Sequence, residues 1–112
     1  MKNAIQQVDV EAAIAEMVRR IAERFHPEKI ILFGSHARGD ATPDSDVDLL
    51  VAMPVDGSPM RKEIELRGVA HGLGVAKDIF VSEPSEFAWR KDIVGTIEYP
   101  ATHEGKVLYA RS

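Results

Sequence analysis

Two aspartates, Asp46 and Asp48, stand at the start of an apolar segment and are the first candidates for chemistry. In an extended strand, side chains two positions apart leave the same face, separated by two steps of about 3.3 Å. Two carboxylates at that spacing can share divalent metal ions. The alternative is that they are simply acidic residues where a loop meets a strand, and the spacing alone favours this alternative.

A third carboxylate, Asp78, lies inside another apolar segment, between Ala76 and Phe80 on one face of a predicted strand. Burying a carboxylate without a partner costs on the order of several kcal/mol, so a partner is expected. That partner is a counter-charge (Lys77 or a distant arginine), a set of hydrogen bonds or a metal. If this strand lies beside the strand of Asp46, three carboxylates converge, and oxygen ligands of this kind suit Mg²⁺ or Mn²⁺ better than zinc.

The dipeptide Gly34-Ser35 lies where an apolar run ends and a helical turn is predicted to begin. Backbone N–H groups and a hydroxyl in that arrangement can hold a phosphate, and glycine lets the phosphate approach closely. A tight turn with a capping serine explains the dipeptide equally well. The presence of Arg38 nearby, followed by the two aspartates, favours a site for a metal-bound nucleoside triphosphate.

The candidate residues are positioned by a series of predicted helices and strands. Apolar residues recur at intervals of three and four from Val10 to Phe25, which predicts an amphipathic helix, and short apolar runs predict strands. The predicted elements are a helix over 10–25, a strand over 30–33, one helical turn over 36–38, a strand over 46–51, a helix from 59 that stops at 72–74, a strand over 75–81, a helix from 85 whose apolar residues include Trp89, and an edge strand over 106–109. The order α-β-β-α-β-α-β of the main elements indicates a small α/β sheet with packed helices.

Length and composition restrict the classes of protein that the chain can belong to. Its 112 residues, 45% hydrophobic and 29% charged, are typical of one globular domain. A net charge of −4 disfavours nucleic acid or an anionic membrane as a direct partner. Cysteine is absent, which excludes a disulfide framework and a thiolate zinc site. No apolar run approaches the roughly 18–20 residues that cross a bilayer, the N-terminus has no signal-peptide core, and we expect a cytoplasmic location.

The motif around these residues resembles that of a known enzyme family. The segment from Gly34 to Gly39, followed by the segment from Ser45 to Val51, is similar to the G-S-x-A-R-G…S-D-x-D-L-x-V signature of the minimal nucleotidyltransferases in the DNA polymerase β superfamily. Ten residues separate Ser35 from Asp46, as in that family. The segment that starts at Asp78 resembles the family's third-carboxylate strand. The resemblance covers nearly the whole chain and implies one α/β (α+β) domain over 1–112, with a small mixed sheet like the palm of polymerase β.

The resemblance also implies a role for each motif residue. Gly34 and Ser35 would hold the triphosphate, and Asp46 and Asp48 would bind two Mg²⁺ ions, with Mn²⁺ as a substitute. Asp78 would bind one metal and take the proton from the attacking hydroxyl. The implied reaction is displacement at the α-phosphorus of ATP, which transfers AMP to a hydroxyl and releases pyrophosphate.

Several residues near the motif have less definite interpretations. Arg38 either contacts a phosphate or braces the loop 40–45 through Asp40 or Asp44, and the sequence favours neither. Glu104 is interpreted as a solvated charge. The histidines lack the spacing of metal ligands and are interpreted as structural or surface groups: His26, His36, His71 and His103.

The size of the chain leaves no room for a domain that presents an acceptor, so a separate partner is expected. Members of the minimal branch are commonly paired with a small helical HEPN toxin, and the resemblance implies an antitoxin that transfers AMP to a tyrosine of this partner. A second hypothesis is a silent nucleotide-binding module that inhibits its partner by occlusion. A third, transfer to a small molecule, is disfavoured because no acceptor domain is present. Whether the protein forms homo- or hetero-oligomers stays open.

Overall fold

The computed structural model describes residues 9–111 of the chain. Its helices are α1 (Val10–Phe25), α2 (Ser35–Arg38), α3 (Pro59–Val69), α4 (Pro84–Arg90) and α5 (Glu98–His103). Its strands are β1 (Lys29–Phe33), β2 (Val47–Ala52), β3 (Lys77–Ser82) and β4 (Lys106–Ala110). None of the helices within 9–111 has the length and apolar character needed to cross a membrane.

The four strands form one mixed sheet in the order β3-β2-β1-β4. Strand β1 is antiparallel to both β2 and β4, whereas β2 and β3 run parallel, with α3 in the connection between them. A parallel pair needs such a crossover, because a short turn can join only antiparallel strands. The prediction of a small mixed sheet with packed helices is confirmed, and β4 lies at an edge of the sheet as expected.

Helices cover both faces of the sheet, and alternate strand residues enter two separate cores. The core under α1 and α3 includes Met17, Ile21, Leu49, Leu66 and Ile79. The core on the opposite face contains Ile31, Phe33, Leu50 and Ala101, with Phe80, Phe87 and Ile97 packed against it. Side chains two positions apart in a strand share a face. Asp48 therefore projects on the side of Leu50, and Asp78 on the side of Phe80, which is the face that carries α4 and α5.

Helix α1 has the boundaries that its sequence predicts. The Asp9 carboxylate accepts a hydrogen bond from the Ala12 amide at 3.1 Å and so satisfies one of the free N–H groups at the start of the helix. His26 adopts a left-handed conformation at the end, directly before Pro27, which cannot continue the helix. The apolar stripe of α1 is buried against the sheet.

Several predicted boundaries differ from the structure: β1 and α2 each begin one residue earlier, and β2 and β4 each end one residue later, than predicted. Strand β2 begins at Val47, so Asp46 lies just before the strand and not within it, because the ladder to β3 starts at the pair Val47 and Lys77. Strand β3 runs to Ser82 and starts two residues later than predicted. Helix α3 ends at Val69, before the glycines at 72 and 74, which lie in the turn that follows.

The single helix predicted from residue 85 is wrong: two short helices, α4 and α5, stand in its place. Between them, the Thr96 hydroxyl donates a hydrogen bond to the Arg90 carbonyl oxygen at 2.9 Å, at the end of α4. The same hydroxyl accepts a hydrogen bond from the Tyr99 amide at 3.2 Å, in the first turn of α5. Pro100 is tolerated because it lies in the first turn of α5. Trp89 is 55% exposed, whereas Phe87 packs on the sheet.

Candidate active site

Asp48 and Asp78 are direct neighbours on the two parallel strands. The register of β2 and β3 pairs Asp48 with Asp78, and the register of β1 and β2 pairs Phe33 with Asp48. Both aspartates are half-buried, and both lie on the face of α4 and α5. The strand of Asp78 therefore lies beside the strand that follows Asp46, as the predicted convergence of the carboxylates required.

Gly34 lies against the carboxylate of Asp48. A Cβ atom added at Gly34 would collide with Oδ2 of Asp48, and its φ of +78° belongs to a region that side-chain-bearing residues rarely adopt. The sequence argument explained this glycine by the approach of a phosphate. The structure adds a different reason, which is that the end of β1 must leave space for the Asp48 side chain.

The three aspartates concentrate negative charge at this end of the sheet. Burial raises the pKa of Asp48 above its ordinary value, and the charges of Asp78 and Asp46 raise it further, while His36 and Arg38 oppose the shift. Within the described part of the chain, none of the three carboxylates forms an ion pair with a basic side chain. The neutralising lysine or arginine that the sequence allowed for Asp78 is therefore not found among residues 9–111.

These residues fit a divalent metal in donor type and charge, although they do not form a closed cage. No three acidic or histidine groups of residues 9–111 stand close enough to hold one ion by themselves. Mg²⁺ in nucleotide sites takes one or two carboxylates and completes its shell with phosphate oxygens and water, so a cage of protein ligands is not required. Asp48 and Asp78 supply such a pair, and the exposed Asp46 stands at its rim.

Helix α2 follows Gly34 directly and is held by backbone hydrogen bonds at both ends. The Gly34 carbonyl accepts the amides of Ala37 and Arg38, each at 3.0 Å. The Ser35 carbonyl accepts the amides of Gly39 and Asp40. The predicted single helical turn is thus present, and it keeps Ser35 beside the end of β1.

Arg38 forms ion pairs with nearby carboxylates, and the pair with Asp40 is one that the sequence analysis considered for bracing the loop 40–45. Its guanidinium pairs with Glu104 at 3.1 Å and with Asp40 at 3.3 Å, and the hydrogen bonds to Glu104 and Asp40 raise the pKa of Arg38. Sequence reasoning missed Glu104, because it lies 66 residues away in the turn between α5 and β4. No local pattern could have indicated this partner.

His36 is a second residue whose place the sequence did not indicate. Its Nε2 atom lies 3.3 Å from the carbonyl oxygen of Ser45, the residue before Asp46. The available signal in the sequence was the position of His36 inside the motif, directly after Ser35.

A cavity of about 660 Å³ lies between α1 and β4, and its lining includes His36 of the motif. Its lining is mainly apolar and includes Val10, Ile14, Val18, Leu32 and Leu108. Leu32 points to the face opposite Asp48, so this cavity and the aspartates lie on different sides of the sheet. Its apolar lining does not suit a triphosphate.

Comparison with known families identifies the class of protein. Residues 14–99 match the family described as "Nucleotidyltransferase domain". The chain belongs to this nucleotidyltransferase family. The resemblance inferred from the motif is therefore confirmed over most of the chain, and the protein is a nucleotidyltransferase.

Two curated relatives of this nucleotidyltransferase cover most of its length. A candidate protein adenylyltransferase of Methanocaldococcus jannaschii is 36% identical over 102 residues, which is 88% of this chain and 97% of the relative. The protein adenylyltransferase MntA of Thermococcus cleftensis is 30% identical over 92 residues, 81% of this chain and 92% of the relative.

Solved structures share the fold at low sequence identity. A candidate nucleotidyltransferase from Sulfolobus solfataricus aligns with a TM-score of 0.59 and 20% identity, over 98% of this chain and 94% of that one. A chain from a toxin–antitoxin structure solved with AMP-PNP aligns with a TM-score of 0.50 and 18% identity, over 91% of this chain and 74% of that one. These similarities support the nucleotidyltransferase fold.

The site of this nucleotidyltransferase combines three features on one face of the sheet. A carboxylate pair is half-buried, its charge is not neutralised by a described basic residue, and the chain turns at Gly34 directly against it. Such a site can hold cations beside an anionic ligand, which is the requirement for binding a metal-bound nucleotide.

Proposed function

We propose that this protein transfers AMP from ATP to a hydroxyl of a partner protein, with Mg²⁺ or Mn²⁺ as the metal. The observation that carries the proposal is the pairing of Asp48 with Asp78, with Gly34 directly against Asp48, in a chain of the nucleotidyltransferase family. Two curated relatives named as adenylyltransferases support the choice of AMP and of a protein acceptor.

In the proposed step, the acceptor oxygen forms a bond to the α-phosphorus of ATP while the bond from this phosphorus to the oxygen that bridges to the β-phosphorus breaks. Pyrophosphate leaves with that oxygen. The hydroxyl proton passes to the carboxylate of Asp78, which is half-buried and lies beside Asp48 on the neighbouring strand. Asp46, Asp48 and Asp78 would hold two metal ions, which would supply stabilisation of the negative charge on the attacking and leaving oxygens.

The remaining motif residues bind and hold the nucleotide in this proposal. Gly34 and Ser35 contact the triphosphate at the turn between β1 and α2. Arg38 keeps α2 in place through Asp40 and Glu104, and its second terminal nitrogen is left for a phosphate oxygen. The two roles considered for Arg38 are therefore compatible.

The acceptor is proposed to be a tyrosine of a helical HEPN toxin, and the protein its antitoxin in the cytoplasm. Residues 1–112 act here as one minimal nucleotidyltransferase domain, and the partner supplies the acceptor. A relative named MntA and a structural neighbour from a toxin–antitoxin structure support a toxin partner.

The test uses ATP labelled in either the α- or the γ-phosphate and the HEPN protein sought in the adjacent reading frame. We expect covalent α-label on the partner, dependent on Mg²⁺ or Mn²⁺, and γ-label only in pyrophosphate. Label from the γ-phosphate would indicate a kinase. Inhibition of the partner without label from either position would show a silent module that acts by occlusion, and α-label that persists in the Asp46→Asn, Asp48→Asn, Asp78→Asn triple variant would also overturn the proposal.

A further inference from the structure

His36 connects the two halves of the motif. It follows Ser35 in α2 and is half-buried, and its Nε2 atom lies 3.3 Å from the carbonyl oxygen of Ser45. Ser45 directly precedes Asp46. A carbonyl oxygen only accepts hydrogen bonds, so Nε2 is the protonated nitrogen and donates in this contact.

The loop between these halves is folded on itself by short-range contacts. The Thr42 amide donates to the Ser45 hydroxyl at 2.8 Å, the Ser45 amide donates to the Thr42 carbonyl at 3.0 Å, and the Asp44 amide lies 3.3 Å from the Thr42 hydroxyl. These contacts keep the turn in shape. They do not fix the turn relative to α2, because every partner lies within the loop.

The two ends of the loop are attached to different parts of the molecule. At the first end, the Asp40 amide donates to the Ser35 carbonyl at 3.1 Å, which holds that end to α2. At the second end, the Val47 amide donates to the Ala76 carbonyl at 2.9 Å, which ties β2 to the residue before β3. Asp46 lies between this bond and the contact of His36 with Ser45.

We propose that His36 is a positioning residue, which fixes the segment of Asp46 relative to the turn at Gly34 and Ser35. The inference rests on the proposed function, in which Asp46 binds metal and the turn binds triphosphate. Asp46 is exposed and precedes the strand, so the sheet holds it less firmly than it holds Asp48. The His36 hydrogen bond supplies the missing attachment and sets the separation between the metal ligand and the phosphate subsite.

Two variants of His36 separate this role from a general effect on the fold. His36→Gln keeps an N–H donor near the position of Nε2, whereas His36→Leu fills similar space without a donor. His71→Leu makes the same change at an exposed histidine beyond the end of α3 and serves as the control.

The first measurement is hydrogen exchange of the backbone amides over 40–46 in the metal-free protein. Losing one hydrogen bond of ordinary strength corresponds to about a two- to ten-fold change in an equilibrium. We expect exchange over this segment to accelerate by about that factor in His36→Leu, and to stay near the wild-type rate in His36→Gln and His71→Leu. Equal exchange in His36→Leu and wild type would overturn the proposal, as would fast exchange in His36→Gln.

The second measurement is the Mn²⁺ concentration at half-saturation in the presence of an ATP analogue with a non-cleavable α–β linkage. We expect His36→Leu to raise this concentration about two- to ten-fold and His36→Gln to restore it. In a separate assay with ATP itself at saturating metal, kcat of His36→Leu should change less than about two-fold. A fall in kcat at unchanged metal affinity would contradict a positioning role. If the wild-type protein bound no metal or transferred no AMP, the proposed function would fail, and the exchange rates would still decide whether His36 holds the loop.

Discussion

At the scale of single residues, Asp48 is the centre of the site. It faces Asp78 across the parallel ladder and lies against Gly34, and its pKa is raised first by burial and then by the neighbouring aspartates. A carboxylate with a raised pKa is destabilised in its charged form, and a bound cation relieves this cost. The metal-free protein therefore carries a local repulsion that a cation bound at Asp48 would relieve.

Replacing Gly34 tests whether transfer of AMP requires the space that this glycine leaves beside the Asp48 carboxylate. Gly34→Ala is expected to lower the free energy of unfolding by about 1–3 kcal/mol, because alanine is strained at this backbone conformation. It is also expected to displace the Asp48 carboxylate and abolish transfer of α-label. Gly57→Ala is the matched control, since Gly57 has a φ of +89° with nothing within 4 Å of an added Cβ atom. That variant should lose stability but keep activity, and normal transfer by Gly34→Ala would show that the close contact is dispensable.

The raised pKa of Asp48 predicts a pH-dependent effect on stability. Because the folded-state pKa lies above the ordinary value of 3.8, the folded protein binds this proton more tightly than the unfolded chain does. The contribution of Asp48 to stability falls as the pH rises from 3.8 through the folded-state pKa, and it stays lost at neutral pH. Asp48→Asn should therefore raise the melting temperature at pH 7 in a chelator, with a gain that shrinks as the pH approaches 3.8. A gain in melting temperature that does not change with pH would contradict a raised pKa of Asp48 in the folded protein.

At the scale of elements, the sequence predicted correctly those boundaries that are set by contacts within one segment. The helix over 10–25 has its cap, its apolar stripe and its proline stop within one segment, and its bounds were correct. The start of β2 was missed by one residue, because it depends on the ladder to β3, 30 residues along the chain. Gly95, which has a φ of +101°, and Pro100 already obscured the end of the last predicted helix, but they did not predict a second helix. The contacts of the Thr96 hydroxyl between α4 and α5 had no signal in the sequence.

The buried carboxylate of Glu98 holds three elements together, and its removal should affect stability. Glu98 is 5% exposed, accepts a hydrogen bond from the Ser82 hydroxyl at 2.9 Å at the end of β3, and pairs with Arg90 of α4 at 3.2 Å. Glu98→Ala leaves these donors without a partner and should cost about 1–3 kcal/mol in urea unfolding.

Exposed Glu86 supplies the control, since its pairing with Arg90 at 3.8 Å is worth little in water. Glu86→Ala should change stability by less than about 0.5 kcal/mol. Both variants should keep transfer activity when folded, because Ser82 lies at the opposite end of β3 from Asp78. An inactive but fully folded Glu98→Ala would mean that this network also shapes the site.

At the scale of the whole molecule, the sheet brings together residues that are distant in sequence. Periodicity predicted the strands and their apolar character, but it did not predict the order β3-β2-β1-β4, which follows from which faces and edges pack. The carboxylate pair was predictable once the two strands were assumed to be adjacent. The long-range partners, Glu104 for Arg38 and the Ser45 carbonyl for His36, required the structure.

Ligand binding should stabilise the whole fold, because a ligand bound only by the folded state shifts the unfolding equilibrium. Mg²⁺ with ATP at about 100 times its Kd is expected to add about 2.7 kcal/mol, or roughly ten degrees or more in Tm for a domain of this size. Mg²⁺ alone should do less. The Asp48→Asn variant should lose the part of the Tm increase that depends on ATP. An undiminished Tm increase in that variant would show that the nucleotide binds elsewhere.

The most direct test of the site is a crystal structure with Mn²⁺ and an ATP analogue that has a non-cleavable α–β linkage, with anomalous diffraction to locate the metal. We expect Mn²⁺ within about 2.2 Å of carboxylate oxygens of Asp48 and Asp78, with Asp46 as a further ligand and the triphosphate along Gly34 and Ser35. Nucleotide seated in the apolar cavity between α1 and β4, or metal peaks away from these aspartates, would contradict this expectation.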